Sequence, residues 1–574
     1  MRLHSIAGLV LSAALVWASS EPVFAFQQLD PDDYRYIARA AQLEADFAGN
    51  FPDAVLVENR WDHLWWMDTG SEVRFVRPSV VLSFWLDRRI WGDSIEGHLL
   101  TNVLLELACC LLAVSILLRI LGPGLPALAS GLLFSAFACH AETVWYLSGR
   151  TDTLAALGFF LGFALHVHAG GKREWPRYLA LPAYAFAIVS KELTLTLPIF
   201  VLLHDLWIEK RGGSLRELWR RDYRLHACYA GLALAYLAFR QIFIAARGGS
   251  SLVFPYFVSP ASPGFPGHVL TQLSDYALNL FGAGITKPFL QATELPGWRL
   301  ASGLALAAAA VLVPLLLLPR ERRLWLLLLV GLLTWLPTSV VYVSERYLFL
   351  PSFALAGVVG LVLSRLRAKL PLYLVMLLAS GLWISHQFYW LRKKNEVVAR
   401  IPREPVALEL KLRELGLSIA RGGRVLFLNF PGNWVHAQFF EDQLRVLYRD
   451  PGLECRILSL MPVSSGMARG LELERVDART LRVSARGPLL DASGTLFPWV
   501  RFEPGTRIQG PRLGFSVEVI AGSTTSSSEL LFRFREPLDS YVLLHFVPPA
   551  AAVQERDLPP GHLILQGKLR VVKP

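Results

Sequence analysis

The sequence predicts an α-helical polytopic membrane protein with a C-terminal α/β, strand-rich soluble domain. Three observations predict it. Of 574 residues, 53% are hydrophobic and only 18% charged, which is too apolar and too long for one soluble domain. Apolar runs of about 20 residues, each able to cross a roughly 30 Å hydrocarbon layer as a helix, recur from the N-terminus to about Trp390 and then stop. Beyond them, short β-like runs alternate with Gly, Pro and Ser turns. The formal net charge of +11 does not indicate a nucleic-acid partner, because the basic clusters fall in short loops between apolar runs, where they report orientation. Of five cysteines, Cys109, Cys110, Cys139 and Cys228 lie in apolar runs and Cys455 stands alone in the tail. With no CxxC pair and no Cys/His metal spacing, neither a disulfide framework nor a zinc site is implied.

The first run, Ile6 to Phe24, follows Arg2 and His4 and ends in VFAF. It reads as a retained first helix, the alternative being a cleaved signal peptide. The polar segment 26–98 then lies outside. In it, Asp30-Pro31-Asp32-Asp33 has the form of a helix start, with Asp30 as N-cap, proline at the first helical position and acids in the first turn. Capping alone accounts for all three acids. The following YRYIARAAQLEADFAG is expected to be a helix along the membrane surface, and WDHLWWMD (61–68) a second interfacial segment rich in tryptophan.

Runs at 100–121, 125–147, 151–169, 178–190, 193–208, 226–246, 299–318, 323–343, 347–364 and 371–391 complete eleven expected spans. The loop 247–298 is rich in Pro and Gly, and its portion 268–284 reads as interfacial or re-entrant. The N-terminus is then cytoplasmic and the tail periplasmic at an inner membrane. The basic segments RILGPG, GGKREWPR, EKRGGSLRELWRR, PRERR and SRLRAK all fall on one side, as orientation by positive charge requires. The membrane domain is expected over 1–392 and an accessory periplasmic domain over 393–574. The tail opens with a charged linker and the helix-like PVALELKLRELGLSIA. RVLFLNF, WVHAQFFEDQLRVLYRD and RILSLMPV then read as strand, helix, strand, and FSVEVIAG, ELLFRFRE, YVLLHFV and HLILQGKLRVV as strands.

Positive charge should avoid outer loops, yet Arg150, Lys191 and Arg346 all fall at expected outer helix ends, beside Asp152, Glu192 and Glu345. Ionisable residues at such positions default to a functional reading. Local pairing and capping are the plain alternative. A face carrying three cations suits an anionic lipid headgroup, because Lys and Arg bind phosphate through charge-assisted hydrogen bonds. An opposing carboxylate can take a proton from an acceptor hydroxyl as general base. His140 and Glu142 lie at the same end; two apart on a helix, they do not share a face.

Four segments resemble a known family. FVRPSVVLSFWLDRRIWGDSIEGHLLTNVLLELACCLL, HAETVWYLSGRTDTLAAL, VSKELTLTLPIFVLLHDL and SERYLFLPSFALAGVVG are similar, in order, to motifs of GT-C superfamily membrane glycosyltransferases, closest in pattern to the TMTC-like O-mannosyltransferases and their bacterial relatives. The resemblance implies transfer of a sugar from a polyprenyl-phosphate carrier on the outer face, with inversion, to a glycan, lipid or protein acceptor. It implies an acid of the first outer loop as base, here Asp32 or Asp33. It places Glu142, Arg150, Asp152, Lys191, Glu192, Glu345 and Arg346 around the donor pocket. The His-Pro that usually opens the second motif is Phe137-Ala138 here, and no 34-residue repeat follows in the tail. No cofactor is identified; a metal site needs convergent oxygen ligands, and Asp32 with Asp33 do not establish one. A second expectation is a catalytically inactive scaffold that binds an envelope partner through its tail. A transporter would place polar residues at mid-bilayer rather than at one face, and ranks last.

Overall fold

The computed structural model describes residues 2–25, 29–60, 64–66, 72–169, 175–209, 215–246, 258–283, 297–400, 408, 412, 419–428, 430, 434–460, 472–485, 489–491, 500–509 and 513–545. It divides into two compact units. The first comprises Met1–Gln27, Val76–Phe243 and Tyr256–Ile401, the second Gln28–Phe75, Ile244–Pro255 and Pro402–Pro574. The division therefore differs from a boundary near residue 392, since most of the first polar loop belongs with the tail.

The first unit is helical. Its helices are α1 (Arg2–Ser20), α2 (Pro78–Trp91), α3 (Ile95–Leu121), α4 (Leu125–Ala136), α5 (Ala141–Trp145), α6 (Arg150–His168), α7 (Ala180–Ile188), α8 (Leu197–Trp207), α9 (Leu215–Ala245), α10 (Phe265–Gly282), α11 (Gly297–Leu317), α12 (Arg322–Trp335), α13 (Phe349–Leu366) and α14 (Leu370–Arg400), besides a single turn at Trp175–Tyr178. Among the described residues, seven segments are long and apolar enough to cross a membrane: Ser5–Ala25, Ile95–Leu121, Leu125–Trp145, Arg220–Ala245, Gly297–Leu317, Glu345–Leu366 and Leu370–Ala399. This is a multi-pass membrane protein. The other four expected spans are helices that fall short of that standard. α7, α8 and α12 have 9, 11 and 14 residues, against about 20 needed to span. α6 has 19 residues but carries Arg150 and Asp152 in its first turn and two histidines in its last.

α6 lies at the centre of this unit, packed between α3 and α7. A Cβ at Gly158 would stand 2.8 Å from the carbonyl oxygen of Ala183 and from the Cβ of Ala187, so only glycine lets α7 approach this closely. Phe134, Phe159, Phe160, Phe163, Phe200, Phe349 and Phe353 fill the core around it, with edge-to-face contacts from Phe134 to Phe160, Phe349 and Phe353. The expected interfacial segment is α10, whose buried face carries Thr271, Gln272, Asp275 and Asn279.

The second unit contains a parallel three-stranded sheet in the order Tyr541–His545, Arg424–Leu428, Glu454–Ile457, with the helix Trp434–Leu447 crossing between the last two. That is the strand, helix, strand order expected. A six-stranded antiparallel sheet follows, built on the hairpin of Phe515–Gly522 and Ser526–Phe534. The helix Pro31–Ala45 packs against Trp434–Leu447 and buries Tyr34, Tyr36, Ile37, Ala40 and Leu43. Its apolar face, expected on a membrane surface, is thus covered by the tail. Trp65 and Trp66 are likewise fully buried. Trp65 meets Phe502 and Phe532 edge-on, and its indole N–H donates to the Leu458 carbonyl at 2.9 Å. Amphipathic and tryptophan-rich runs suit a protein core as well as a lipid interface, and this loop uses them for a core. The expected strand HLILQGKLRVV and most of the expected helix PVALELKLRELGLSIA lie outside the described residues.

Candidate functional site

Three breaks in helices position the candidate site. The first separates α4 from α6: a turn at Ala138–His140, the short α5 and a turn at Leu147–Gly149. The second separates α7 from α8, with a turn at Glu192–Thr196 just before Pro198. The third separates α12 from α13, with turns at Leu336–Thr338 and Glu345–Leu348. Each break overlaps one of the motif segments, and in each a tight turn or proline interrupts the helical ladder.

Ion pairs join the three breaks. Asp152, in the first turn of α6, accepts from the Lys191 ammonium and lies 3.6 Å from Nε of Arg346. Glu142 accepts from the Ser344 hydroxyl at 2.8 Å, from the Arg346 backbone N–H at 3.1 Å and from its guanidinium at 3.3 Å. Tyr342 bonds Nη2 of Arg346 through its hydroxyl, and Tyr146 and Tyr347 present ring faces 5.0 and 5.4 Å from that guanidinium. Lys191 sits 4.6 Å from the Tyr347 ring centre. The cations are held between carboxylates and aromatic faces, which favours a fixed geometry over a solvated one. They are not sealed: the Lys191 and Arg346 side chains keep 13% and 12% of their exposure, and Glu142 keeps 20%. An ammonium carries three donors and a guanidinium five, so both retain capacity for a further anion.

The other residues singled out by sequence are placed differently. Arg150 is fully buried: it pairs with Asp87 at 2.6 Å, donates to Asn102 Oδ1 at 2.7 Å and to the His98 carbonyl at 2.9 Å, and lies over Phe84. It ties α6 to α2 and α3. Glu345, adjacent to Arg346, turns the opposite way to a buried pair with Lys394 of α14, at 2.8 Å. Glu192 pairs with Arg240 at 3.3 Å. His140 points into the core, 2.8 Å from Glu106 and 3.1 Å from the Ser352 hydroxyl, while Glu142 faces the cations. Where the family motif carries proline, the Ala138 N–H donates to Gln387 at 3.0 Å, a bond proline lacks.

Asp32 and Asp33 belong to the second unit. Asp33 accepts the Asp30 N–H at 3.0 Å, closing the expected cap, and Asp32 pairs with Arg35 one turn on. Sequence reasoning missed Asp87, Asn102, Glu106, Ser344 and Lys394. Ser344 and Tyr347 stood inside the quoted SERYLFL, whereas Lys394 stood in a stretch read as a charged linker.

No protein-family model matches the chain, and no curated protein matches it. Among solved structures, it is similar to ArnT from Cupriavidus metallidurans bound to undecaprenyl phosphate, at 15% identity and a TM-score of 0.39 over 78% of this chain and 85% of that one. It is also similar to the Archaeoglobus fulgidus oligosaccharyltransferase in two structures. One, tethered to an acceptor peptide containing the NVT sequon, matches at 11% identity and a TM-score of 0.42 over 79% of this chain and 64% of that one. The other, a complex with zinc and sulfate, matches at 12% identity and 0.45 over 78% and 62%. This chain thus spans under two thirds of the oligosaccharyltransferase.

Proposed function

We propose that this chain is a membrane glycosyltransferase that moves a sugar from a polyprenyl-phosphate-linked donor to an acceptor hydroxyl on the outer face of the inner membrane, with inversion. The observation that carries this reading is the convergence of Lys191, Asp152, Arg346 and Glu142, supplied by three motif segments, into one partly open cluster walled by tyrosines. Lys191 and Arg346 bind the donor phosphate and stabilise the negative charge that grows on it as the glycosidic bond breaks. Asp152 and Glu142 hold the two cations in place before substrate arrives, so little reorganisation remains for the transition state. Asp32 or Asp33 of the first polar loop takes the acceptor's proton. Arg150 serves the site by fixing the start of α6, and with it Asp152.

One observation favours the alternative, an inactive scaffold of the same fold that binds an envelope partner through its tail. Asp33 already accepts its own helix's N–H and Asp32 already pairs with Arg35, so both acids have structural partners. Transfer of radiolabelled sugar from polyprenyl-phosphate donors by membranes containing the chain separates the two readings. Label reaching lipid, glycan or protein with wild type, and not with Lys191→Ala, is the expected result. Equal transfer by Asp32→Asn and Asp33→Asn at the wild-type level removes the loop from the mechanism. Absence of transfer with every donor and acceptor preparation favours the scaffold.

A further inference from the structure

Arg346 stands at the end of a stretch of irregular backbone, and the side chains that hold this backbone come from α10. Between the turns Leu336–Thr338 and Glu345–Leu348, residues 339–344 form neither helix nor strand. Backbone of this kind in a membrane domain persists only where protein groups replace water as hydrogen-bond partners. Here α10 supplies them. Nε2 of Gln272 donates to the carbonyls of Thr338 and Val341, both at 3.2 Å, and its Oε1 accepts the Trp335 indole N–H at 3.0 Å. These partners fix the orientation of the amide, since an indole N–H only donates and a carbonyl only accepts. One turn further along α10, the Tyr276 hydroxyl accepts the Ser344 N–H at 3.2 Å. His268 adds a ring nitrogen 3.0 Å from the Val341 carbonyl, and the Val258 N–H, before α10, donates to the Val340 carbonyl at 2.8 Å. Gln272 and Tyr276 are both buried.

Ser344 connects this bracing to the cation cluster. Tyr276 holds its N–H, and its hydroxyl donates to Glu142 at 2.8 Å. Two residues on, the Arg346 N–H donates to the same carboxylate at 3.1 Å. The backbone that carries Arg346 is therefore held from two sides, by α10 and by Glu142. α10 is in turn seated on α11. A Cβ at Gly303 would stand 2.4 Å from the Ser274 carbonyl oxygen, so only glycine permits this approach. The Ser274 hydroxyl donates to the Arg299 carbonyl at 3.1 Å, and Asp275 pairs with the Arg299 guanidinium at 3.2 Å. A helix fixed in this way can pass its own position on to the break it braces.

We propose that Gln272 and Tyr276 are positioning residues of the transfer reaction, holding the break between α12 and α13 so that Arg346 shares Asp152 with Lys191 before the donor arrives. The proposal rests on the reading of Lys191 and Arg346 as the donor-phosphate site. Groups aimed in advance at developing charge stabilise the transition state more than the ground state. Loosening the backbone under Arg346 therefore lowers kcat and leaves the donor KM nearly unchanged.

The test uses the full chain purified in detergent and two variants. Gln272→Leu keeps the bulk of the side chain and deletes its three hydrogen bonds. Tyr276→Phe removes one oxygen, and keeps the test open if Gln272→Leu does not fold. Hydrogen exchange read by mass spectrometry should quicken about tenfold in peptides covering 336–348 and keep its wild-type rate in α6, which shows that the loss is local. In sugar transfer from a polyprenyl-phosphate donor, kcat should fall about tenfold with Gln272→Leu and about threefold with Tyr276→Phe, while the donor KM stays within about twofold. Faster exchange spread equally over α6 would make these residues general stabilisers and overturns the proposal. So do unchanged exchange at 336–348, wild-type kcat in both variants, or a loss carried by KM instead of kcat. A wild type that transfers no sugar overturns the donor reading and this proposal with it, whereas the other failures leave the donor reading standing.

Discussion

Two arginines of this molecule, Arg150 and Arg346, come from the same kind of motif, sit at helix breaks beside acids and look alike in sequence. Arg150 spends its donors on Asp87, Asn102 and a backbone carbonyl and has no exposed surface. Arg346 has one face against tyrosines and an edge open beside Lys191. The difference separates a group that holds the scaffold from one that can meet a substrate. Removing the one guanidinium that Asp87 pairs with leaves a charge in a low-dielectric interior, whereas Asp152, the buried mate of Lys191, keeps Arg346 as a second cation 3.6 Å away.

The largest expected effect follows directly. Arg150→Met should destabilise the detergent-purified protein by about 3–5 kcal/mol, read by thermal unfolding, because Asp87 is left unpaired. Adding Asp87→Asn should restore a good part of that loss. Lys191→Ala should do the reverse, lowering sugar transfer about a hundredfold, close to 3 kcal/mol in the barrier, while unfolding moves by less than about 1 kcal/mol. If both variants lose stability alike, the distinction between pillar and site fails.

The second unit offers a sealed group to titrate. His436 is buried among Phe430 and Phe440 with its Nε2 on Gln443, and burial pushes its pKa down to about 4. Its unfolded value is near 6.5. The unfolded chain therefore takes up the proton first as pH falls, so the stability this neutral histidine contributes is present above about pH 6.5 and is lost between there and about 4. Between pH 7 and 5 the loss should be about 2 kcal/mol, read as hydrogen-exchange protection of Arg424–Leu428, and His436→Leu should flatten the profile. Smallest of all, Trp65→Phe keeps the ring packing and deletes the bond to Leu458, and should cost about 1 kcal/mol by the same measurement.

Most of the architecture was legible because helix period, hydrophobic length and basic loops are local properties. The tail's strand, helix, strand order was readable for the same reason. The cation cluster was legible only in part. Charge at a helix end announces itself, but which partner each charge finds is decided by residues far away: Asp87 for Arg150, Lys394 for Glu345, Glu106 for His140. The helix Pro31–Ala45 and Trp65 misled for a further reason. A pattern fixes which face is apolar and says nothing of what covers it; here the cover lies hundreds of residues downstream.

That long-range pairing constrains how the chain threads the bilayer. Residues 28–75 and the tail after 402 form one compact body, so both emerge on the same side, and the crossings between them must be even in number. Six of the seven long apolar segments lie in that interval. The segment beginning at Ile244 belongs to the same body, yet only three of the six precede it. An even count up to that point requires that an odd number of the shorter helices α6, α7 and α8 also traverse the membrane, and the remaining stretch to residue 401 requires one of α10 and α12 as well. A tag-accessibility map at residues 50, 246 and 420 would report one side for all three.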